Sequence, residues 1–153
     1  MTFFDTEEKL SRAVQKFLRA NPRNSAPICE DFPLISNQEA WLNIALIKQY
    51  HENMSAQASR KLVLTLLKRL GLEGVADKRN LALGDKERFF VKLLRSAMVQ
   101  NAAILINRPF NMIPQLKNID PILQALKTID DLYSICHIYD YDWMEQKYGV
   151  LCR

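Results

Sequence analysis

Hydrophobic positions recur along most of this chain with the spacing of amphipathic helices. Asp5 or Thr6, followed by Glu8, can cap a first helix on which Leu10 and Phe17 fall on one apolar stripe, and this helix should end before Asn21-Pro22. Ser55 and Gly71 bracket another helix in the same way, one as its N-cap and the other as its stop. The same spacing predicts further helices over residues 37–51, 85–100, 120–129 and 141–147.

Three segments lack the helical spacing and predict strands. Ala102–Ile106 is a continuous apolar run that is too short for a helix of its own, which favours a buried strand. Residues 27–31 and 132–138 are also strand candidates, the first because it lies between prolines and the second because it is rich in β-formers. Helices flank these segments, so the pattern favours an α/β fold in which helix predominates.

Composition places the chain among soluble globular proteins and removes one class of enzyme. Hydrophobic residues make up 48% of the 153 residues and charged residues 25%, which is incompatible with a disordered chain. Gly71 is the first of only four glycines, so neither a GxxxxGK[ST] loop nor a GxGxxG motif is present. The sequence therefore excludes a self-sufficient P-loop nucleotidase.

The lengths of the apolar runs, the charge of the N-terminus and the spacing of cysteine and histidine predict a cytoplasmic protein without a metal site. No apolar run approaches the roughly 18 residues that span a bilayer, and acidic residues occupy the N-terminus where a secretory signal would be basic. The three cysteines are widely spaced, which favours reduced thiols over disulfides. His51 and His137 are not at zinc-ligand spacing with any cysteine, so we expect no metal and no resident cofactor.

Positive charge is concentrated in one part of the chain. Between Lys68 and Arg95 there are eight basic and four acidic residues, which accounts for the whole net charge of +4. Arg88, Lys92 and Arg95 follow one another at helical spacing and form a stripe, here called the basic stripe. Such a stripe could meet phosphates or an acidic partner. Because no aromatic stacking pattern accompanies it, we favour a solvated helix face and keep nucleic-acid binding only as a minor hypothesis.

Three phrases, in order, resemble the second part of an ATP-binding cassette ATPase. The string from Ile28 to Ile35 is similar to the strand and glutamine loop of that family, with Glu30 in place of the glutamine. Trp41–Leu46 matches the Trp/Phe-x-Asn-Ile/Val-Ala-Leu helix that follows the loop. The phrase from Arg69 to Arg79 is similar to the end of the helical subdomain of the family. The resemblance runs from about Ile28 to Lys147.

The resemblance continues through functional motifs, in which this chain departs from the family. Leu83-Gly84-Asp85-Lys86-Glu87 stands where the family has Leu-Ser-Gly-Gly-Glu, and Asp85 would repel a phosphate there. Asn107 and Arg108 replace the Walker B aspartate and the catalytic glutamate. Arginine stays protonated and cannot act as a general base. Tyr139 stands in place of the switch histidine, with His137 two residues earlier.

The resemblance implies a truncated cassette core. We expect a small, mainly parallel sheet from residues 27–31, 102–107 and 132–138, with residues 1–36 and 84–153 forming the α/β core and residues 37–83 an inserted helical subdomain. The first 27 residues would stand in place of the P-loop strand and the nucleotide-stacking subdomain. Ile104 and Ile135 should lie buried on adjacent central strands.

The function implied by the resemblance is non-catalytic. In the family, a groove between the glutamine loop and the helical subdomain receives the coupling helix of the permease. Phe32, Pro33, Leu34, Trp41 and Ile44 are therefore expected to contact a protein partner, which would be a transporter permease or an intact ATPase subunit and would bring the protein to the membrane periphery. Two alternatives stay open: a nucleic-acid or anionic-lipid binder that uses the basic stripe, and an ATPase completed in trans.

Overall fold

A computed structural model describes residues 1–152, with side chains described for residues 1–149. It contains one sheet of four parallel strands, in the order β1-β4-β3-β2. The strands are β1 (Thr2–Phe4), β2 (Ser25–Ile28), β3 (Ala102–Asn107) and β4 (Tyr133–Tyr141). The predicted α/β class, with a small parallel sheet and a predominance of helix, is confirmed.

Helices connect the strands and supply most of the secondary structure. Thr6 caps the first helix, where its Oγ1 accepts a hydrogen bond from the Lys9 amide at 3.2 Å, and Ser55 caps the third helix in the same way. Gly71 ends the third helix with a φ of 70°, which a residue with a Cβ rarely adopts. The helices are α1 (Glu7–Ala20), α2 (Ala40–His51), α3 (Ala56–Arg69), α4 (Asp85–Ala97), α5 (Pro109–Met112) and α6 (Asp120–Thr128), with 3₁₀ turns at Glu73–Val75, Asn80–Ala82 and Asp142–Cys152.

The sheet separates two apolar clusters of unequal size. Successive residues of β3 point to opposite faces, so Ala103 and Leu105 pack with Phe17 of α1 on one face. Ile104 and Ile106 belong to the larger cluster on the other face, which includes α4 and α6. All five residues from Ala102 to Ile106 are buried, which confirms the predicted buried strand. No helix in the described part of the chain is long and apolar enough to cross a bilayer.

Helices α2 and α3 follow β2 and precede α4 in the chain, and they pack against each other. The buried side chain of Asn43 forms hydrogen bonds with the backbone of the segment that leads into α2. Its Oδ1 accepts the Ile35 amide at 2.8 Å, and its Nδ2 donates to the carbonyls of Ile35, Gln38 and Glu39. Because a buried amide must have hydrogen-bond partners, Asn43 defines the path of the chain after β2.

The structure corrects three sequence-based expectations about the sheet. Strand β2 spans Ser25–Ile28 and not the predicted 27–31, because the chain leaves the sheet after Ile28 and the Cys29 carbonyl bonds to Lys92 of α4. Strand β1 was not predicted; it pairs in parallel with Tyr139–Tyr141 and so extends β4 beyond its predicted end. Ile135 is not buried as expected: it is 41% exposed, whereas Ile138 of the same strand is buried. The reason is that β1 covers only the last three residues of β4, and α1 alone packs on the face to which Ile135 points.

Candidate functional site

The loop that follows β2 is held in place by cations from α4. We call residues 29–34 the β2 loop. The Arg95 guanidinium donates from its two terminal nitrogens to the carbonyls of Pro33, at 2.9 Å, and Phe32, at 2.8 Å. Lys92 Nζ donates to the Cys29 carbonyl at 3.2 Å. These charge-assisted bonds join the loop to a helix more than sixty residues away in the chain.

The basic stripe is therefore not the solvated face that the sequence favoured. Lys92 is buried, and burial lowers the pKa of both Lys92 and Arg95. Arg88 donates to the Asn80 side chain, to Asp85 and to the carbonyls of Asn80 and Leu83. Because these side chains bond to the protein itself, the stripe does not present a row of free cations to a nucleic acid or a lipid surface.

An apolar groove of about 370 Å³ lies beside the β2 loop. Phe32 and Pro33 from the loop and Ile47 from α2 line it, and Phe32 is 51% exposed. Two charged residues, Asp31 and Arg95, also line the groove, together with Ser25, Ala26, Pro27, Ser96 and Val99. Because Lys92 and Arg95 hold the β2 loop through hydrogen bonds to its carbonyls, the exposed ring of Phe32 is preorganised for contact with another molecule.

Of the five residues expected to contact a partner, only Phe32 and Pro33 line this groove. Leu34 and Ile44 are buried in the main core and cannot contact a partner, because their side chains point inward from the loop and from α2. Trp41 is half-buried outside the groove. Its Nε1 donates to Glu39 at 2.8 Å, and the Arg60 guanidinium lies 5.0 Å from its ring centroid.

At the start of α4, where the resemblance implied the family signature loop, side chains of the helix itself form hydrogen bonds with neighbouring protein groups. Glu87 Oε1 accepts the Gly84 amide at 3.0 Å, and this bond lowers the pKa of the Glu87 carboxyl. The two Asp85 oxygens accept from Arg88 at 3.0 Å and from Gln115 at 2.9 Å. Lys86 is exposed, and Glu30 and Asp85 line a common pocket.

Asn107, Arg108 and Tyr139, which the resemblance compares with the Walker B residues and the switch histidine, lie at the carboxyl ends of β3 and β4. Asn107 lies opposite Tyr139 in the sheet register, and the Arg108 amide donates to the Tyr139 carbonyl at 2.8 Å. Arg108 is left-handed, with a φ of 55°, and its guanidinium lies 4.9 Å from the Tyr141 ring centroid. Asn107 Oδ1 and Arg108 Nε are buried without a hydrogen-bond partner. No carboxylate stands at either position.

The turn from β1 to α1 is another place where chemistry could be expected, because strand–loop–helix units carry the phosphate-binding loop of P-loop proteins. Here the turn is Asp5-Thr6, without glycine, and Glu7 and Glu8 occupy the first turn of α1. The negative charges oppose an anion at this helix start. Lys9 pairs with Asp5 at 2.8 Å.

Metal and thiol chemistry find little support in the side chains of residues 1–149. No cluster of three or more His, Cys, Asp or Glu side chains occurs among them. Burial raises the pKa of the Cys29 thiol and raises that of Cys136 to about 12, so both are poor nucleophiles at neutral pH. His137 packs near Phe17 and Tyr139, with ring centroids 5.2 and 6.1 Å away.

Sequence reasoning missed Ile47 and Val99, which line the groove. Ile47 lies on α2 and Val99 in the turn after α4, where apolar positions predict burial, and only the path of the β2 loop decides which positions form a groove wall. It also missed the stack of Arg108, Tyr141 and Trp143, in which the two aromatic rings lie 4.3 Å apart. An Arg followed by aromatic residues some thirty positions later carries no local signal.

Structural comparison identifies the fold, although no protein-family profile and no curated protein matches the sequence. The post-hydrolysis dimer of the ATP-binding cassette MJ0796 bound to ADP and Pi superposes with a TM-score of 0.61 at 20% identity, over 87% of this chain and 58% of the cassette. The dimeric structure of MJ0796, a bacterial ABC transporter cassette, gives a TM-score of 0.61 at 25% identity, over 86% and 57% of the two chains.

This chain thus spans less than three-fifths of the length of the cassettes it resembles. Its fold is similar to that of ABC transporter ATPase cassettes, as the sequence motifs implied.

Proposed function

We propose that this chain is a non-catalytic protein with an ATP-binding-cassette-like fold, and that it acts by binding a protein partner in the groove beside the β2 loop. The observation that carries the proposal is Phe32: its ring is half-exposed while its carbonyl is fixed by Arg95. Exposing an aromatic side chain on a rigid loop is unfavourable in water, and aromatic anchors of this kind dominate many protein interfaces.

The side chains at the family's catalytic positions support a role without hydrolysis. Arg108 cannot accept a proton from water, and Asn107 is a weaker partner for magnesium than a carboxylate. Asp85 is tied to Arg88 and Gln115 at the start of α4, where a phosphate would meet its negative charge. A nucleotide phosphate would therefore be repelled by Asp85, and no general base would be present at Arg108.

The groove suits an amphipathic helix as the bound segment. Its apolar walls would hold the hydrophobic side chains of the helix, and Asp31 and Arg95 at its border offer charges of both signs. A transporter permease or an intact cassette ATPase subunit would supply such a helix. In that arrangement the chain works in the cytoplasm, at the membrane periphery, through its partner.

Phe32 provides the test. A photo-crosslinking residue at position 32 should capture the partner, and the same residue at position 50 should not, because Tyr50 is equally aromatic and 81% exposed but lies outside the groove. With the captured partner purified, Phe32→Ala should weaken binding about tenfold or more, whereas Tyr50→Ala should leave it unchanged.

Equal affinities for the wild type and Phe32→Ala would refute the groove as the docking site. Binding that raised salt abolishes and that Phe32→Ala leaves intact would instead favour the electrostatic alternative. Steady ATP hydrolysis by the chain mixed with its partner would favour an ATPase completed in trans.

A further inference from the structure

A second pocket shares Pro33 with the groove but is otherwise lined by different residues. Its volume is about 300 Å³. Phe89 and Met112 form apolar walls, and Lys92 reaches it from α4. The other lining residues are Glu30, Pro33, Asp85, Arg88 and Asn111. A concave site with apolar walls and few polar groups has the general character of a small-ligand pocket.

Lys92 is the unusual member of this lining. It is 6% exposed, and its ammonium makes one described hydrogen bond, to the Cys29 carbonyl. No carboxylate of residues 1–149 lies within ion-pair distance of it. A buried ammonium with a single hydrogen bond is costly, because it has lost most of its water and gained no counter-ion. Nearby Arg88 and Arg95 add repulsion, and the pKa of Lys92 is lowered accordingly.

The other charged groups of the pocket do not neutralise Lys92. Asp85 and Arg88 are paired with each other at 3.0 Å, and Arg88 makes three further hydrogen bonds. Glu30 is exposed and makes no hydrogen bond or ion pair with the described side chains. Its charge acts on Lys92 only at longer range. A second negative charge on a ligand would be repelled by Glu30 and Asp85, so the pocket favours a monoanion.

We propose that this pocket binds a small aliphatic carboxylic acid. The ligand carboxylate pairs with the Lys92 ammonium, and the alkyl chain lies against Phe89 and Met112. Binding supplies the counter-ion that the protein does not provide, and it buries apolar surface at the same time. The proposal does not depend on the groove, because among the described residues Pro33 alone lines both sites.

Acetate and 3-methylbutanoate are the probes, and the NMR signal of Lys92 Cε is the readout in the full chain. Both acids should shift this signal saturably, and 3-methylbutanoate should bind about fivefold or more tightly than acetate because its additional carbons reach the apolar walls. Inorganic phosphate should bind more weakly than 3-methylbutanoate. Lys92→Met should abolish the response of the neighbouring Phe89 and Met112 signals, and Lys86→Met, which removes an exposed lysine of the same helix, should not.

Each opposite result overturns the proposal. These results are a non-saturating response, equal affinities for the two acids, tighter binding of phosphate, or a response that survives Lys92→Met. If Lys92→Met does not fold, the comparison of acetate, 3-methylbutanoate and phosphate on the wild type remains decisive, because a bulk ionic effect does not depend on alkyl chain length.

Discussion

Lys92 is a buried cation whose protonation is linked to folding. Its pKa in the folded chain is lowered by burial, whereas in the unfolded chain it is expected near 10.4. Between these two values the unfolded chain binds more protons, so the free energy of unfolding rises with pH there. Below the lowered pKa both states are protonated, and the folded chain bears the full cost of the buried charge.

Lys92→Met should therefore be as stable as the wild type at neutral pH, or more stable by about 1 kcal/mol, because an apolar side chain of similar length avoids that cost. The wild type should gain relative to the variant as the pH rises from the lowered pKa of Lys92 in the folded chain towards the pKa of about 10.4 in the unfolded chain. Urea unfolding of both proteins at several pH values measures the difference. A gap that does not change with pH would show that the Lys92 charge is not under strain.

Arg108 occupies a left-handed conformation that costs a residue with a Cβ about 1 kcal/mol or more. Replacing it with either Ala or Gly removes the contact of the guanidinium with Tyr141, so the two variants differ mainly in backbone freedom. Arg108→Gly should be about 1 kcal/mol more stable than Arg108→Ala in urea unfolding. Equal stabilities would mean that the backbone relaxes at this position.

The basic stripe shows the limit of sequence reasoning at the residue scale. Helical spacing correctly places Arg88, Lys92 and Arg95 on one side of α4. It does not tell what lies over that side. Here the β2 loop, about sixty residues earlier, returns with three carbonyls, and this non-local contact turns the stripe from a surface feature into a support for Phe32.

At the scale of elements, β3 and β4 differ in how far they are covered. Ile104 of β3 is fully buried between its neighbours, whereas Ile135 of β4 is 41% exposed. Ile104→Asp places an unpaired charge in the core and should prevent folding or cost more than about 4 kcal/mol. Ile135→Asp should cost about 1 kcal/mol.

Circular dichroism and urea unfolding of the two variants test this difference. A folded, cooperative Ile104→Asp protein would contradict the central position of β3. Loss of folding in Ile135→Asp would contradict the open face of β4.

Element boundaries were predictable where a local signal marks them. The helix starts after Thr6 and Ser55 and the stop at Gly71 follow from side-chain hydrogen bonds and backbone freedom, which act over three or four residues. Strand β1 was not predictable in this way, because three residues are too few to show a period of two. Its partner β4 was consequently placed too short.

At the scale of the whole molecule, the order of motifs carried more information than composition. The strings around Trp41, Leu70 and Leu83 keep the order of the cassette family, and the fold is similar to that of cassettes. Composition and charge alone would have favoured the basic stripe as the functional surface. The groove could be only half predicted: Phe32 and Pro33 belong to the motif, but Ile47 and Val99 join them only through tertiary packing.

The proposal of a non-catalytic cassette-like protein predicts that nucleotide does not bind the isolated chain. The turn between β1 and α1 carries Asp5 and no glycine, and the family resemblance implies that Asn107 and Arg108 replace the Walker B carboxylates. A ligand that binds only the folded state raises the melting temperature, and the rise grows with the logarithm of the ligand concentration once that concentration exceeds Kd.

Thermal unfolding in the presence of millimolar ATP and magnesium is the most direct measurement. We expect the melting temperature to equal that without nucleotide, for the wild type and for Asn107→Ala alike. A rise in the wild type that grows with nucleotide concentration and that Asn107→Ala abolishes would contradict the proposal, because it would place a working nucleotide site at the end of β3.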